Sequence, residues 1–192
     1  MKKRTTREIT IGNIILGNNN PIAVQSMAAT KTTDVDRTIS QINSLHDAGA
    51  DIVRIAIDSK KDCAALSIIR NATQVALSAD LQENYRILKD IAPYIDKVRY
   101  NPGHLHHHEK NKSIAYKVEN IASIAAKYNL AIRIGVNCGS VDPVLKEKFS
   151  DDVQAMVESA RQHCEILENI KFRNYLVSLK DSDYNKVIRA NK

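Results

Sequence analysis

The sequence is poor in the residues that mark several common protein classes. Its 192 residues include three cysteines, two phenylalanines and no tryptophan. Cys63, Cys138 and Cys164 lie far apart and form no CxxC pair, which argues against a zinc ribbon or a disulfide framework and is typical of a reducing cytoplasm. No stretch approaches the roughly 18 apolar residues of a membrane-spanning helix, and the basic residues 1–6 precede no apolar signal-peptide core. We therefore expect a cytoplasmic protein that makes no contact with a membrane.

Acidic residues are also in short supply. The chain has 28 Lys and Arg against 22 Asp and Glu, a formal charge of +6. Surfaces that bind nucleic acid combine a basic stripe with interleaved aromatic residues, and this sequence has neither. The positive excess therefore favours an anionic small molecule over nucleic acid.

Hydrophobic patterning predicts an α/β protein. Residues 8–11 and 14–16 flank Gly12-Asn13 and predict a β-hairpin. Six apolar runs then alternate with segments of helical spacing, which indicates a parallel sheet built from about six β/α units. The alternation alone does not distinguish a TIM-type barrel from an open doubly wound sheet. The 192 residues are fewer than the roughly 250 of a complete barrel. The strand candidates are 22–27, 52–57, 75–80, 97–100, 131–136 and 175–180; the helix candidates are 35–45, 64–69, 85–91, 114–128 and 153–167.

Cations interrupt four of the six apolar runs. A cation beside a core is costly unless it is paired, and the carboxyl ends of parallel strands surround a single crevice. Arginine presents a planar fork that matches phosphate oxygens, so the pattern predicts a site for a doubly charged phosphate group. Asn101 and Asn137 follow two of the arginines closely and add neutral donors. The cations are Arg54, Arg99, Arg133 and Lys180.

Simpler alternatives stand beside these interpretations. Any one of the arginines could form a salt bridge with a helix carboxylate instead. Asp80 ends the third run, where it could hold a substrate hydroxyl, orient an arginine or cap the next helix. The tract His106-His107-His108 resembles a metal site, but adjacent residues do not share one face, which favours a solvated loop. Cys138, at the rim of the predicted site, is either a reactive thiol or a small packing residue.

A series of short motifs follows in a fixed order along the chain: Pro21-Ile22-Ala23-Val24-Gln25-Ser26-Met27, Thr32-Thr33-Asp34, Gly49-Ala50-Asp51-Ile52-Val53-Arg54, Ala79-Asp80, Val98-Arg99-Tyr100-Asn101-Pro102-Gly103, Ile132-Arg133-Ile134-Gly135-Val136-Asn137 and Val177-Ser178-Leu179-Lys180. In this order they resemble the 4-hydroxy-3-methylbut-2-enyl diphosphate synthase family of the non-mevalonate isoprenoid pathway. The resemblance runs from about Ile9 to the end of the sequence.

The resemblance implies an N-terminal TIM-type barrel that binds 2-C-methyl-D-erythritol 2,4-cyclodiphosphate. It implies an enzyme that opens this ring by reductive dehydration, with electrons from flavodoxin or ferredoxin passing through a [4Fe-4S] cluster. The cluster would lie on a separate C-terminal domain, held by three cysteines and a glutamate, and a homodimer would bring it over the partner's barrel. The positions that match the diphosphate-binding role are Arg54, Arg99, Asn101, Arg133, Asn137 and Lys180, with Asp80 near the substrate hydroxyls.

The sequence departs from the family pattern at three positions and in length. Gln82 stands where a histidine is usual, His104 where asparagine is common, and Asp181 where a small residue is usual. Measured against the pattern, two barrel strands and the cluster domain are absent. We therefore expect residues 1–192 to form a single domain, the N-terminal part of a TIM-type barrel, which binds no cluster and is inactive alone.

Three functions remain open at this point. The first is the substrate-binding barrel part of the diphosphate synthase. The second is a non-catalytic phosphate-binding barrel module, a degenerate paralogue, which the missing histidine and cluster cysteines favour. The third is a basic structural or RNA-associated protein. Under any of them, six units leave the first and sixth strands with open edges, which predicts self-pairing or instability of the isolated chain.

Overall fold

Six parallel strands pair in the order in which they occur along the chain. The structure is a computed structural model, and it describes residues 5–192. Each strand from β3 to β8 pairs with the next in parallel. The strands are β1 (Ile9–Ile11), β2 (Ile14–Leu16), β3 (Gln25–Met27), β4 (Ile52–Ile57), β5 (Ala76–Leu81), β6 (Lys97–Tyr100), β7 (Ala131–Asn137) and β8 (Tyr175–Lys180). The helices are α1 (Val35–Asp47), α2 (Lys60–Asn71), α3 (Leu88–Ile91), α4 (Ile114–Lys127), α5 (Pro143–Lys148), α6 (Asp152–Asn169) and α7 (Tyr184–Asn191).

This strand order separates the two architectures that the sequence leaves open. A doubly wound sheet reverses its strand order at a switch point, whereas the wall of a barrel adds strands in chain order. The sheet here runs β3-β4-β5-β6-β7-β8 without a reversal. The fold is therefore an incomplete TIM-type barrel wall of six β/α units preceded by a β-hairpin, as predicted.

The hydrophobic core consists of two clusters, because successive residues of a strand point to opposite faces of the sheet. On β4, Val53, Ile55 and Ile57 belong to the large cluster that packs against the helices. The first inward residue of β4, Ile52, instead joins a smaller cluster with Ile9 and Ile11 of the hairpin. Ala76 and Ala131, which begin β5 and β7, lie in the same small cluster. The hairpin therefore packs across the amino ends of the strands and forms the floor of the barrel.

The side chain of Asn174 joins this floor to the last strand. Asn174, the residue before β8, accepts a hydrogen bond from the backbone N–H of Thr10 at 2.8 Å and donates one to its carbonyl at 2.9 Å. Arg7 adds a salt bridge to Glu168 at 2.8 Å. Because the floor covers the amino ends, the carboxyl ends of the strands are the end at which a ligand can enter.

The predicted elements agree closely with the observed ones, with two kinds of difference. The bounds of β4, β6 and β8 match, and the hairpin is confirmed, but β3 covers only Gln25–Met27. The residues before it, including Ile22, are exposed at the edge of the sheet, and in the described chain β3 and β8 each pair on one side only. The helices α5 and α7 were not predicted. The Asp142-Pro143 start of α5, where Asp142 accepts from the N–H of Val144, is the signal that could have found the first of them.

In the part of the chain that the structure describes, no helix combines the length and the apolar character needed to cross a membrane.

The packing of the floor yields a test on two neighbouring isoleucines. Ile11 is fully buried, whereas Ile15 on β2 is 46% exposed. Ile11→Ala should lower the free energy of unfolding by about 2–5 kcal/mol because it leaves a cavity under the strands. Ile15→Ala, the matched control, should change it by less than about 1 kcal/mol. Urea unfolding followed by circular dichroism measures both, and equal losses would show that the hairpin does not seal the core.

Candidate anion-binding site

The strand register sets the arginines side by side inside the barrel wall. Asp80 pairs in register with Arg99, and Arg99 with Arg133, so three charged side chains from β5, β6 and β7 share one row. Arg54 lies two residues lower, in register with Met27 and Ser78. We call Arg54, Arg99 and Arg133 the arginine layer. The arginines lie within the strands rather than at their ends, with side chains that project into the barrel.

Asp80 is the one carboxylate that organises this layer. It is 5% exposed, and its Oδ1 lies 3.0 Å from Nη1 of Arg99 while its Oδ2 lies 3.5 Å from Nε of Arg54. A carboxylate that pairs with two arginines orients both guanidinium groups. Asp80 lies inside β5, so the alternative in which it caps a helix is wrong. The salt-bridge partner of these two arginines is likewise a strand carboxylate rather than a helix one.

A glycine makes room for Arg99. The Nη2 of Arg99 donates to the carbonyl of Gly135 at 2.8 Å, so the guanidinium lies against the backbone of β7. A Cβ at Gly135 would lie 2.3 Å from the Nε of Arg99. Only glycine therefore permits this position of the arginine.

Of the four predicted cations, Arg133 and Lys180 have no ion pair within residues 5–192. The Nε of Arg133 donates to the hydroxyl of Ser178 at 3.0 Å. Burial lowers the pKa of Arg133, as do Arg54 and Arg99, and Asp80 opposes the change. Burial also lowers the pKa of Lys180, followed by the charges of the three arginines. The five side chains therefore share one electrostatic field, in which four cations face a single carboxylate.

The two asparagines lie at the mouth but differ in their contacts. Asn101 is buried; its Nδ2 donates to Ser140 Oγ at 2.7 Å and its Oδ1 accepts from the N–H of Gly103 at 3.2 Å. It therefore joins the loops that follow β6 and β7, where a Cβ at Gly103 would lie 1.6 Å from the Ser140 carbonyl oxygen. Asn137 is the last residue of β7 and pairs in register with Lys180.

Sequence reasoning missed two polar residues that adjoin the arginine layer, Lys97 and Gln25. Lys97 is only 2% exposed and its Nζ donates to Oε1 of Gln25. Burial, followed by the charges of Arg133 and Arg54, lowers the pKa of Lys97 to about 7. Met27 accepts from Nε and Nη2 of Arg54 at 3.2 and 2.9 Å. The alternation of strand residues between the two faces of the sheet could have indicated the position of Lys97. Lys97 precedes Arg99 by two residues and therefore lies on the same face.

The histidines of residues 104–108 lie in the segment after β6, outside the barrel wall. The rings of His104 and His107 stack at 5.4 Å, and Nε2 of His106 lies 2.7 Å from Oδ2 of Asp142. His104 Nδ1 lies 2.5 Å from the carbonyl oxygen of Gln82. Two of the three departures from the family pattern are thus in direct contact.

The rim cysteine has the properties of a packing residue. Burial raises the pKa of Cys138 to about 11, together with its hydrogen bond to Asp181 and the charges of Asp152 and Asp181. A thiol with so high a pKa carries little thiolate at neutral pH, and the thiolate is the reactive form. The geometry therefore favours the packing interpretation over the reactive one.

The residues present do not fit an iron–sulfur cluster. Cys63 lies on α2 and Cys164 on α6, on different elements from Cys138. Such clusters are usually held by convergent cysteine thiolates. Among residues 5–192, no group of three or more His, Cys, Asp and Glu side chains is arranged to hold a metal ion.

Strand order, inward alternation and a set of inward-facing cations define a TIM-type barrel domain. Residues 6–192 match the family model described as "GcpE TIM-barrel domain", and the chain belongs to this family. This confirms the resemblance drawn from the motifs.

Curated relatives carry the name 4-hydroxy-3-methylbut-2-en-1-yl diphosphate synthase (flavodoxin). The protein of Rhodopirellula baltica is 51% identical over 193 residues, covering 100% of this chain and 50% of the relative. That of Nitratiruptor sp. is 38% identical over 190 residues, covering 99% and 52%. The chain thus spans about half the length of the curated relatives it matches.

Solved structures with a similar fold are dihydropteroate synthases. That of Xanthomonas albilineans with 4-aminobenzoic acid has a TM-score of 0.65 at 10% identity, covering 95% of this chain and 70% of that one. The Yersinia pestis enzyme with a pterine-sulfa conjugate has a TM-score of 0.64 at 14% identity, covering 96% and 69%. At such identities the likeness concerns the fold alone.

Two glycines of this site provide a matched test of its packing. Gly135→Ala should lower the free energy of unfolding by about 1–3 kcal/mol, because the new methyl group displaces the Arg99 guanidinium from Asp80. Gly139→Ala is the control, since a Cβ there meets nothing within 4 Å, and should change it by no more than about 1 kcal/mol. Thermal and urea unfolding measure the two variants, and a tolerant Gly135→Ala would contradict the described position of Arg99.

Proposed function

We propose that this chain is the substrate-binding barrel part of a 4-hydroxy-3-methylbut-2-enyl diphosphate synthase and that it grips the diphosphate of 2-C-methyl-D-erythritol 2,4-cyclodiphosphate. One observation carries the proposal. Arg54 and Arg99 pair with a single carboxylate inside the barrel wall, and Arg133 and Lys180, which lie in the same electrostatic field, have no ion pair in the described chain. Like charges held together lower one another's pKa, and a dianion placed among them removes that penalty.

The residues have distinct roles in this proposal. Arg54 and Arg99 are oriented by Asp80, and the remaining N–H groups of their guanidinium ends would donate to phosphate oxygens. Arg133 keeps both Nη groups for the ligand while Ser178 holds its Nε, and Lys180 closes the site from β8. Asn137 offers its amide at the mouth.

Asn101 and Asp80 take part while keeping their structural bonds. Asn101 has one amide hydrogen beyond its bond to Ser140, because an amide carries two. Asp80, whose two oxygens retain further lone pairs, would accept from a substrate hydroxyl. The diphosphate and the hydroxyls of the substrate would then be bound from adjacent strands.

The reductive chemistry belongs to residues outside this chain in our proposal. The relatives are named as flavodoxin enzymes and are about twice as long. We infer that flavodoxin or ferredoxin supplies electrons to a [4Fe-4S] cluster on a further domain of a cytoplasmic homodimer, and that residues 1–192, a single domain, are inactive alone.

A non-catalytic phosphate-binding module is the second candidate, and Gln82 favours it. Gln82 replaces a histidine of the family pattern, and its carbonyl contacts His104. The experiment that separates the candidates is turnover of the cyclic diphosphate by the polypeptide that the complete reading frame encodes. Reductive ring opening supports the enzyme; binding without turnover supports the module.

Arg133 gives the direct test of binding. Arg133→Ala should weaken binding of the cyclic diphosphate to the purified chain by roughly 2–5 kcal/mol, the range for losing one partner of a buried charged contact. Calorimetric titration measures the affinity. Arg161→Ala is the control, because Arg161 is an exposed arginine on α6 that pairs with Glu158 and Glu165. Equal affinity of the two variants for the cyclic diphosphate would show that Arg133 does not bind it.

A further inference from the structure

Lys97 is a buried lysine without a carboxylate partner in the described part of the chain. It is 2% exposed, it begins β6, and Nζ donates to the neutral side chain of Gln25. A buried ammonium is costly unless an anion compensates it. The protein must therefore either remove the proton from Lys97 or bring a negative charge close to it.

The surroundings of Lys97 oppose a positive charge. Arg99 and Arg133 lie one inward row above it, and Arg54 lies in its own row across Ser78. Ile52 and Ala76 of the apolar floor lie one inward row below, and Ala131 lies beside it. Asp80, the acidic group of this region, already pairs with two arginines. The groups on the inward faces of the elements around Lys97 are Gln25 of β3, Arg54 of β4, Ser78 and Asp80 of β5, Arg133 of β7 and, on its own strand, Arg99.

A second polar side chain lies beside Lys97 in the same register row. Ser78 pairs in register with Lys97, and its Oγ is buried with no hydrogen-bond partner in the described chain. A hydroxyl can donate to a neutral amine or accept from an ammonium. The pKa of Lys97, lowered to about 7, means that both forms of the amine are present at neutral pH.

We propose that Lys97 is a proton-linked part of the diphosphate site: above pH 7 it is largely neutral while the site is empty, and it takes up one proton from solvent when a diphosphate binds in the adjoining arginine layer. This inference rests on the proposed function. A bound dianion reverses the potential that the two arginines impose on Nζ, so it favours the ammonium. By reciprocity, the ammonium favours the dianion by the same factor.

The sign of the pH dependence follows from linkage. Above pH 7 the empty site has lost the Lys97 proton, and binding must restore it, so affinity falls as pH rises. Below pH 6 the lysine is already charged and this contribution vanishes. At pH 8, a pKa of about 7 leaves one lysine in about ten protonated, so binding should take up about 0.9 proton per chain.

The first test follows the lysine directly in the unsubstituted 192-residue chain. Lysine is labelled with ¹³C at Cε, and the chain is titrated by NMR with and without pyrophosphate. We expect one lysine signal to titrate near pH 7 in the free protein and above about pH 9, towards the ordinary value, with pyrophosphate. That signal should be absent from Lys97→Met.

The second test counts protons. Pyrophosphate binding is measured by calorimetry at pH 8 in buffers of different ionisation enthalpy. Pyrophosphate brings its own protons to every variant, so the difference between wild type and Lys97→Met isolates the lysine and should be about 0.9 proton. Lys127→Met, which removes an exposed lysine of α4, is the control and should match the wild type. Lys97→Gln replaces Lys97→Met if the latter does not fold.

The outcomes separate this inference from the proposed function. Pyrophosphate binding with no shift of the lysine signal, or with equal proton counts in wild type and Lys97→Met, overturns the role of Lys97 alone. If the wild-type chain binds neither pyrophosphate nor the cyclic diphosphate, the proposed function fails and this inference fails with it.

Discussion

Repulsion among inward-facing cations is the constraint on which the rest of the site depends. Arg54, Arg99 and Arg133 lie on β4, β6 and β7 of one sheet, and the charges of Arg54 and Arg99 lower the pKa of Arg133. Asp80 compensates part of this charge and sets the orientation of two guanidinium groups. The barrel wall thus holds its cations in an unfavourable arrangement, which a bound anion would relieve under the proposed function.

The supporting structure can be understood from the same constraint. Gly135 leaves the backbone of β7 open so that Arg99 can donate to its carbonyl, and Ser178 holds Arg133 by Nε alone. At the mouth, Asn101 joins the two loops that frame the opening. These neutral groups position the cations without adding negative charge that would compete with a ligand. A second carboxylate in the layer would stabilise the empty chain at the expense of anion binding.

The strands, the hairpin and the identity of the main cations could be predicted from the sequence, because continuous apolar runs and strand-borne arginines are local signals. The contacts between side chains of different strands could not be predicted from the sequence. The pairing of Asp80 with both Arg54 and Arg99 depends on a register that no spacing along the chain reveals, and the bond from Asn101 to Ser140 depends on how two loops meet. Lys97 follows Asp96 at the start of an apolar run, and nothing local to these two residues predicts that the lysine is buried. Here the hairpin covers that end of the strand, and this cover is a tertiary feature.

The same cover has a consequence for the order of events in folding. The bonds between Thr10 and Asn174 join residues 164 apart in the chain. The hairpin is synthesised before its partners Ile52, Ala76 and Ala131, which follow on three later strands, and before Asn174. Ile9 and Ile11 therefore stay without their final contacts until most of the wall exists, so the hairpin docks long after it is made. Contacts of such long range make folding slow and leave apolar surface exposed in the meantime.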